Sequence, residues 1–388
     1  MMYNTNILTQ VLTSISTMKL VLLLLLLTCG HTTLAEASWW TDWLSGSSTV
    51  EGSESNQEQS LPIKSLTHSD LAILARRDSR EESDFNQTLS SILVPRVPGT
   101  ESHASVKQYI KQSFQSLGWT IQEDSFTANV PHPMRTLPFT NIIATSNPLA
   151  CRRLVLACHY DSKYFANKVF LGAIDSAVPC SIMIHLARVL DGAIKQRNLK
   201  APTQTTLQMI FFDGEEAFKD WSETDSLYGS RHLARVWSGT PIESTDGCRD
   251  RNTVSQIDRI QLFVLLDLLG TQNPKIPSFF PVTDDMYSRL YYLEKNLNSG
   301  GLMTTKSGRK TSYFTGRRAF GGIDDDHKPF LEKGVKVLHL IPTPFPKVWH
   351  TLDDNASALD YTTIRNLIVL LKAFLVEYLH LDIRSTSG

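Results

Sequence analysis

The chain has 388 residues, 41% hydrophobic and 20% charged, which is the balance of an ordinary globular protein with length enough for a large core. A formal net charge of −1 and a pI near 6.8, with basic residues scattered along the chain, exclude a nucleic-acid-binding surface.

In chain order, Met18-Lys19 leads into an unbroken apolar run, Leu20 to Leu27, that is too short to span a bilayer. Ala35-Glu36-Ala37 then fits a small-x-small cleavage pattern, so residues 1–37 are expected to be a signal peptide, with 1–17 as an upstream extension. A retained anchor and a mitochondrial leader are the alternatives; the segment lacks the arginines of the latter. Residues 38–64 read as a flexible lead-in, because Gly46 to Ser60 is rich in Ser, Glu and Gln and has little to bury. Within it, Trp39, Trp40 and Trp43 either fold back on the domain or form a membrane-interface foot. Secretion is the expectation, with retention in the secretory pathway as the alternative, and no stable membrane span. Export implies an oxidising compartment. Cys29 falls in the signal, leaving Cys151, Cys158, Cys180 and Cys248. Asn86-Gln87-Thr88 is a glycosylation sequon in a polar stretch; Asn355-Ala356-Ser357 also fits but lies beside suspected site residues.

Residues 65–388 read as one catalytic domain. Apolar spacing predicts helices over Ser65 to Arg80, Asp84 to Leu93 and Ser105 to Leu117, then strands over Trp119 to Val130 and Phe139 to Ser146. Strands and helices then alternate. Arg153 to Cys158, Thr205 to Phe212, Gln261 to Leu268 and Val335 to Ile341 read as strands. Ser176 to Lys195, Ser226 to Trp237, Asp284 to Leu297 and Tyr361 to Leu379 read as helices. That order predicts an α/β fold with a central, mostly parallel mixed sheet and helices on both faces.

Titratable residues gather at the strand ends: His159 and Asp161, Glu215 and Glu216 after Asp213-Gly214, Asp267, and His350 beyond the last strand. Asp175 precedes the long helix. Carboxyl ends of parallel strands converge on one edge, and a histidine with several carboxylates there favours zinc with one position open. Each residue alone has a plainer reading. Asp175 would serve as an N-cap, Asp267 as a structurally paired acid, His339 as a satisfied core histidine and His350 as a surface residue next to Trp349.

Several stretches together resemble the animal glutaminyl-peptide cyclotransferases. They are Cys158-His159-Tyr160-Asp161-Ser162-Lys163, Asp175-Ser176-Ala177-Val178-Pro179-Cys180, Phe212-Asp213-Gly214-Glu215-Glu216-Ala217-Phe218, Asp325-Asp326-His327, and Leu338-His339-Leu340-Ile341-Pro342 running into Pro344-Phe345-Pro346-Lys347-Val348-Trp349-His350-Thr351. The resemblance runs from about Ser65 to Leu379, and these enzymes share a fold with two-zinc aminopeptidases. It implies one zinc ion per chain on Asp175, Glu216 and His350, with Glu215 as the proton-transfer residue. Asp267 would be the second catalytic carboxylate, hydrogen-bonded to Asp325 and His339, with Ser176 in the supporting network. Trp221, Phe345 and Trp349 would wall the pocket, and Cys158 would bond to Cys180. The implied substrates are peptides with N-terminal glutamine, or glutamate, and a monomer is favoured. The segment between Phe165 and Val169 is short for the secreted animal enzymes, which leaves substrate preference at the pocket mouth open. The alternative is a secreted zinc aminopeptidase, with Glu215 activating water and a second metal on His159.

Overall fold

A computed structural model describes residues 65–131, 136–202, 204–242, 248, 253–304 and 310–384, which belong to one compact unit. The expected signal peptide and lead-in lie outside the described residues. Helix α1 (His68–Leu74) starts at a capping box, Thr67 with Asp70. Helix α2 (Ser79–Ile92) starts where the Asp78 carboxylate accepts the N–H groups of Arg80 and Glu81. That cap explains why the break between the first two helices lies earlier than apolar spacing places it. Helix α3 (Glu101–Gln115) follows.

The central sheet is built from β1 (Thr120–Asn129), β2 (Thr136–Thr145), β3 (Arg153–His159), β4 (Thr206–Phe212), β5 (Ile260–Leu266) and β8 (Val337–Leu340). Its order is β1-β2-β4-β3-β5-β8. The β1–β2 and β2–β4 pairs are antiparallel, whereas β4–β3, β3–β5 and β5–β8 are parallel. Helices α4 (Val178–Lys200), α5 (Tyr228–Gly239), α6 (Asp284–Ser299), α7 (Lys328–Leu331) and α8 (Tyr361–Tyr378) complete the unit. Two short strands, β6 (Ile276–Ser278) and β7 (Phe314–Arg318), pair separately; their brief, mixed sequences carry no period that would announce them.

The central strands are almost wholly apolar because both faces are covered; the exception inside β4, Gln208, donates to the Thr145 hydroxyl at 2.8 Å. Leu154, Leu156, Met209 and Val264 point into a core shared with α4 and α8. Val155, Ala157, Ile210 and Phe263 point the other way, toward Leu233 of α5 and Phe330 of α7. Among the described residues, one helical stretch, residues 173–200, is long and apolar enough to cross a membrane, and 78% of its most apolar window is buried inside the protein. The strand order reverses at β3, with β4 on one side and β5 and β8 on the other. The residues that follow β3, β4, β5 and β8 therefore meet at one edge, where such sheets keep their clefts.

Candidate active site

The turn after β4 is held from below. Buried Asp213 contacts His103 Nε2 at 2.8 Å through Oδ1, and its Oδ2 accepts the Thr140 N–H at 2.7 Å and the Tyr160 hydroxyl at 3.1 Å. Gly214 has φ +73°, and a Cβ there would lie 2.4 Å from Phe139 Cε1, so only glycine fits. Beyond it, the Asp161 carboxylate accepts the N–H of Glu215 at 3.1 Å and of Glu216 at 3.2 Å. The Glu215 carbonyl takes the Leu227 N–H at 2.9 Å. Both glutamates are thus set by their backbone, leaving the side chains for chemistry.

Asp175, Glu216 and His350 converge. His350 Nε2 lies 3.3 Å from Glu216 Oε2 and 3.5 Å from Asp175 Oδ2. One ligand atom from each of the three lies within 4.8 Å of the other two. Both acids are buried, and Asp175 Oδ2 and Glu216 Oε1 have no hydrogen-bond partner. Burial, then the neighbouring Glu216 charge, push Asp175 up to about 7. Two facing buried carboxylates with orphaned oxygens and an imidazole form a site that a divalent cation fits, since its charge offsets the repulsion. His350 has a left-handed backbone, φ +55°, and its ring stacks on Trp349 at 4.0 Å; such backbone outliers cluster at functional sites. Asp175 is not an N-cap: it sits in a turn before α4 with φ −120° and ψ 78°, and the cap position is Ala177.

Glu215 stands next to this triad. It is only 7% exposed, its carboxyl takes no hydrogen bond from a described residue, and burial raises its pKa well above the usual range. Burial thus favours the protonated form of this carboxyl, as a proton-transfer group requires. Asp267 accepts a hydrogen bond from the Ser176 hydroxyl and lies 3.5 Å from His159 Nε2, which also contacts Asp175 Oδ1 at 3.0 Å. The expected hydrogen bonds from Asp267 to Asp325 and His339 are not formed. The Asp267 carboxylate turns toward the Ser176 turn, while Asp325 Oδ2 pairs with His339 Nε2 at 2.7 Å. Burial pushes His339 down to about 4 and Asp325 up.

The profile of peptidase family M28 matches residues 141–375. A curated relative, glutaminyl-peptide cyclotransferase of Bothrops jararaca, is 49% identical over 306 residues, 76% of this chain and 81% of its own. The crystal structure of Macrostomum lignano glutaminyl cyclase superposes with a TM-score of 0.74 at 32% identity, covering 83% of this chain and 96% of that one. This chain belongs to the glutaminyl-peptide cyclotransferase family. A zinc-dependent exopeptidase from Parabacteroides distasonis shares the fold at a TM-score of 0.59 and 19% identity, covering 78% of this chain and 99% of its own.

For a glutaminyl-peptide cyclotransferase, the surroundings of the triad then become specific. Phe345 and Trp349 pack edge to face at 4.8 Å beside His350. Trp221 is 42% exposed on the loop after Glu216, and no ring contact joins it to the other two among the described residues. The segment from Phe165 to Val169 closes as a single turn, with the Lys168 N–H 3.3 Å from the Phe165 carbonyl. Asn86 is exposed on α2, while its sequon partner Thr88 is buried.

The two cysteines expected to bond, Cys158 and Cys180, are buried side by side with sulfurs 2.6 Å apart, and Cys180 Sγ lies 3.1 Å from the His159 carbonyl oxygen. A formed bridge joins Cys151 to Cys248, two cysteines to which the motifs gave no partner. Sequence reasoning also missed Lys163, whose Nζ lies 3.2 Å from Glu216 Oε2, and the roles of Asp161, Arg96 and Asp354. Asp161 and Lys163 were visible inside a motif, whereas Arg96 and Asp354 lie in loops with no pattern to mark them.

Proposed function

We propose that this chain converts the N-terminal glutamine of peptides to pyroglutamate with release of ammonia, using one zinc ion held by Asp175, Glu216 and His350. The observation that carries this reading is the convergence of those three side chains beside a buried Glu215 carboxyl that takes no hydrogen bond from a described residue. When bound, zinc would polarise the γ-carboxamide carbonyl of the substrate. Glu215 takes a proton from the α-amine, whose nitrogen bonds to the carbonyl carbon of the side-chain carboxamide (Cδ) of the same residue. As the bond from that carbon to the amide nitrogen breaks, Glu215 returns the proton and ammonia leaves. Closure is intramolecular, so orientation by the site replaces much of the entropic cost. Asp267, fixed by Ser176, holds the departing amide nitrogen. Phe345 and Trp349 flank the small, flat side chain, and Trp221 covers it from its loop. An N-terminal glutamate peptide, losing water instead, would be the slower substrate.

The aminopeptidase alternative needs a second ion on His159, Asp175 and Asp267, whose ligand atoms also lie within 4.8 Å. Here the Ser176 hydroxyl already donates to Asp267 Oδ1, and His159 Nε2 already contacts Asp175 Oδ1 at 3.0 Å. Entry into the secretory pathway is supported by the apolar run of residues 20–27 and by the Cys151–Cys248 bridge. The deciding experiment incubates the protein with a Gln-peptide and reads ammonia release and mass loss, alongside metal analysis. One zinc per chain with cyclised product is expected; two metals with cleaved N-terminal residues would overturn the reading.

A further inference from the structure

Arg96 is fully buried, yet the chemistry above makes no use of its charge. Its guanidinium is spread over main-chain carbonyls, one of them Val94 at 3.3 Å and the other three in one turn. Nη1 donates to the Leu171 carbonyl, and Nη2 donates to the carbonyls of Gly172 at 2.9 Å and Asp175 at 3.1 Å. The backbone is not helical at Asp175 and Ser176, so the Leu171 and Asp175 carbonyls draw on the guanidinium, while the Gly172 carbonyl also accepts the Ala177 N–H at 3.2 Å. The N–H groups on the same turn face the opposite way. Ile174 N–H donates to Asp354 Oδ1 at 2.9 Å, and Ala173 N–H donates to the Asp354 carbonyl at 3.2 Å. Asp354 is four positions beyond His350.

Arg96 is itself tied to the edge where the glutamates emerge. Its N–H donates to Ser162 Oγ at 2.9 Å, and its carbonyl accepts the Ser162 N–H at 3.2 Å, directly after Asp161. Burial disfavours the guanidinium charge, and the charges of Asp161, Asp175 and Asp354 act against that penalty. Arg96 therefore reaches every segment that supplies a ligand: its guanidinium grips the Asp175 turn, its main chain is bonded to the strand end that positions Glu216, and through the turn it meets the His350 loop.

We propose that Arg96 is the positioning residue for Asp175. It presets the Leu171–Asp175 turn against the Asp354 clamp, so that Asp175 and His350 already face each other when the ion arrives. The inference rests on the metal assignment given under Proposed function. A lysine would keep the charge but present a point donor in place of a planar fork, and so cannot hold three carbonyls in one plane.

The test measures the zinc dissociation constant by chelator competition, together with thermal melting, for the wild type, R96K, G172A and R153K. Arg153 is the control. It is also buried and donates to main-chain carbonyls, those of Ala150 and Pro148, but it starts β3. At about 3.3 Å per residue it lies about 20 Å from the strand's active-site end. R96K and G172A are expected to weaken zinc binding about 10–100-fold, the range seen when partners behind a ligand are removed. R153K is expected to lower the melting temperature with zinc affinity within about twofold of wild type. A folded R96K with wild-type zinc affinity, or an R153K that weakens zinc as much, overturns the proposal. If R96K fails to fold, G172A decides, because a Cβ there would sit 2.1 Å from the Asp175 carbonyl oxygen and 3.2 Å from Arg96 Nη2. Wild-type zinc affinity in G172A then overturns it. A wild-type chain that binds no zinc overturns the metal assignment as well, which separates the two failures.

Discussion

Glu215→Gln separates the proton-transfer role from every structural one. The substitution keeps the shape of the side chain and both backbone anchors, the N–H to Asp161 at 3.1 Å and the carbonyl to Leu227 at 2.9 Å. It deletes no side-chain hydrogen bond to a described residue. It also removes a carboxyl whose ionised form is disfavoured by burial, with the Glu216 charge adding to the penalty. Stability is therefore expected to hold or rise at neutral pH. Losing a positioned general acid–base costs on the order of 10²–10⁴ in rate, which is about 3–5 kcal/mol of barrier. The loss should fall on kcat, with KM little changed, because no binding contact is removed. The assay is ammonia release from a Gln-peptide, run with zinc content and thermal melting on the same preparation. Turnover within tenfold of wild type in a zinc-loaded variant would refute the role. Loss of zinc on this substitution would instead make Glu215 a ligand and refute the division of labour between the two glutamates.

Asp175→Asn and His350→Ala should each lower zinc retained after dialysis from about one per chain to near zero, since a catalytic site needs three protein ligands; retention by either variant contradicts the triad. His185 is buried against Phe85, with Glu81 Oε2 3.8 Å away, yet burial first and then Lys372 and Arg188 hold it down to about 3. Its folded value is below its unfolded 6.5, so its contribution is present above pH 6.5 and drains away as pH falls toward 3, by about 1.4 kcal/mol per pH unit. His185→Gln should therefore flatten the acid limb of stability by about one proton in denaturant titrations at pH 4 to 6; an unchanged slope would show that His185 is protonated in the folded state. Phe330 is fully buried and its ring meets those of Phe212, Phe263 and Trp237. Phe330→Ala should cost about 3–5 kcal/mol in urea unfolding; less than about 1.5 would mean that this face of the sheet can collapse around the cavity.

The layered architecture and the ligand candidates were legible in one dimension because both are written locally. Continuous apolar runs such as Leu262 to Leu266 mark a strand covered on both faces, and Asp213-Gly214 before paired glutamates marks a strand-end turn. The tertiary structure alone decided which distant groups pair. It gave Asp267 to Ser176 instead of to Asp325 and closed Cys151 with Cys248. It also brought Arg96 and Asp354 to opposite sides of one turn. Periodicity reports which face a residue turns to the core, but carries no information about which loop from another strand end arrives to meet it; that is fixed only when the sheet order and the crossovers are in place.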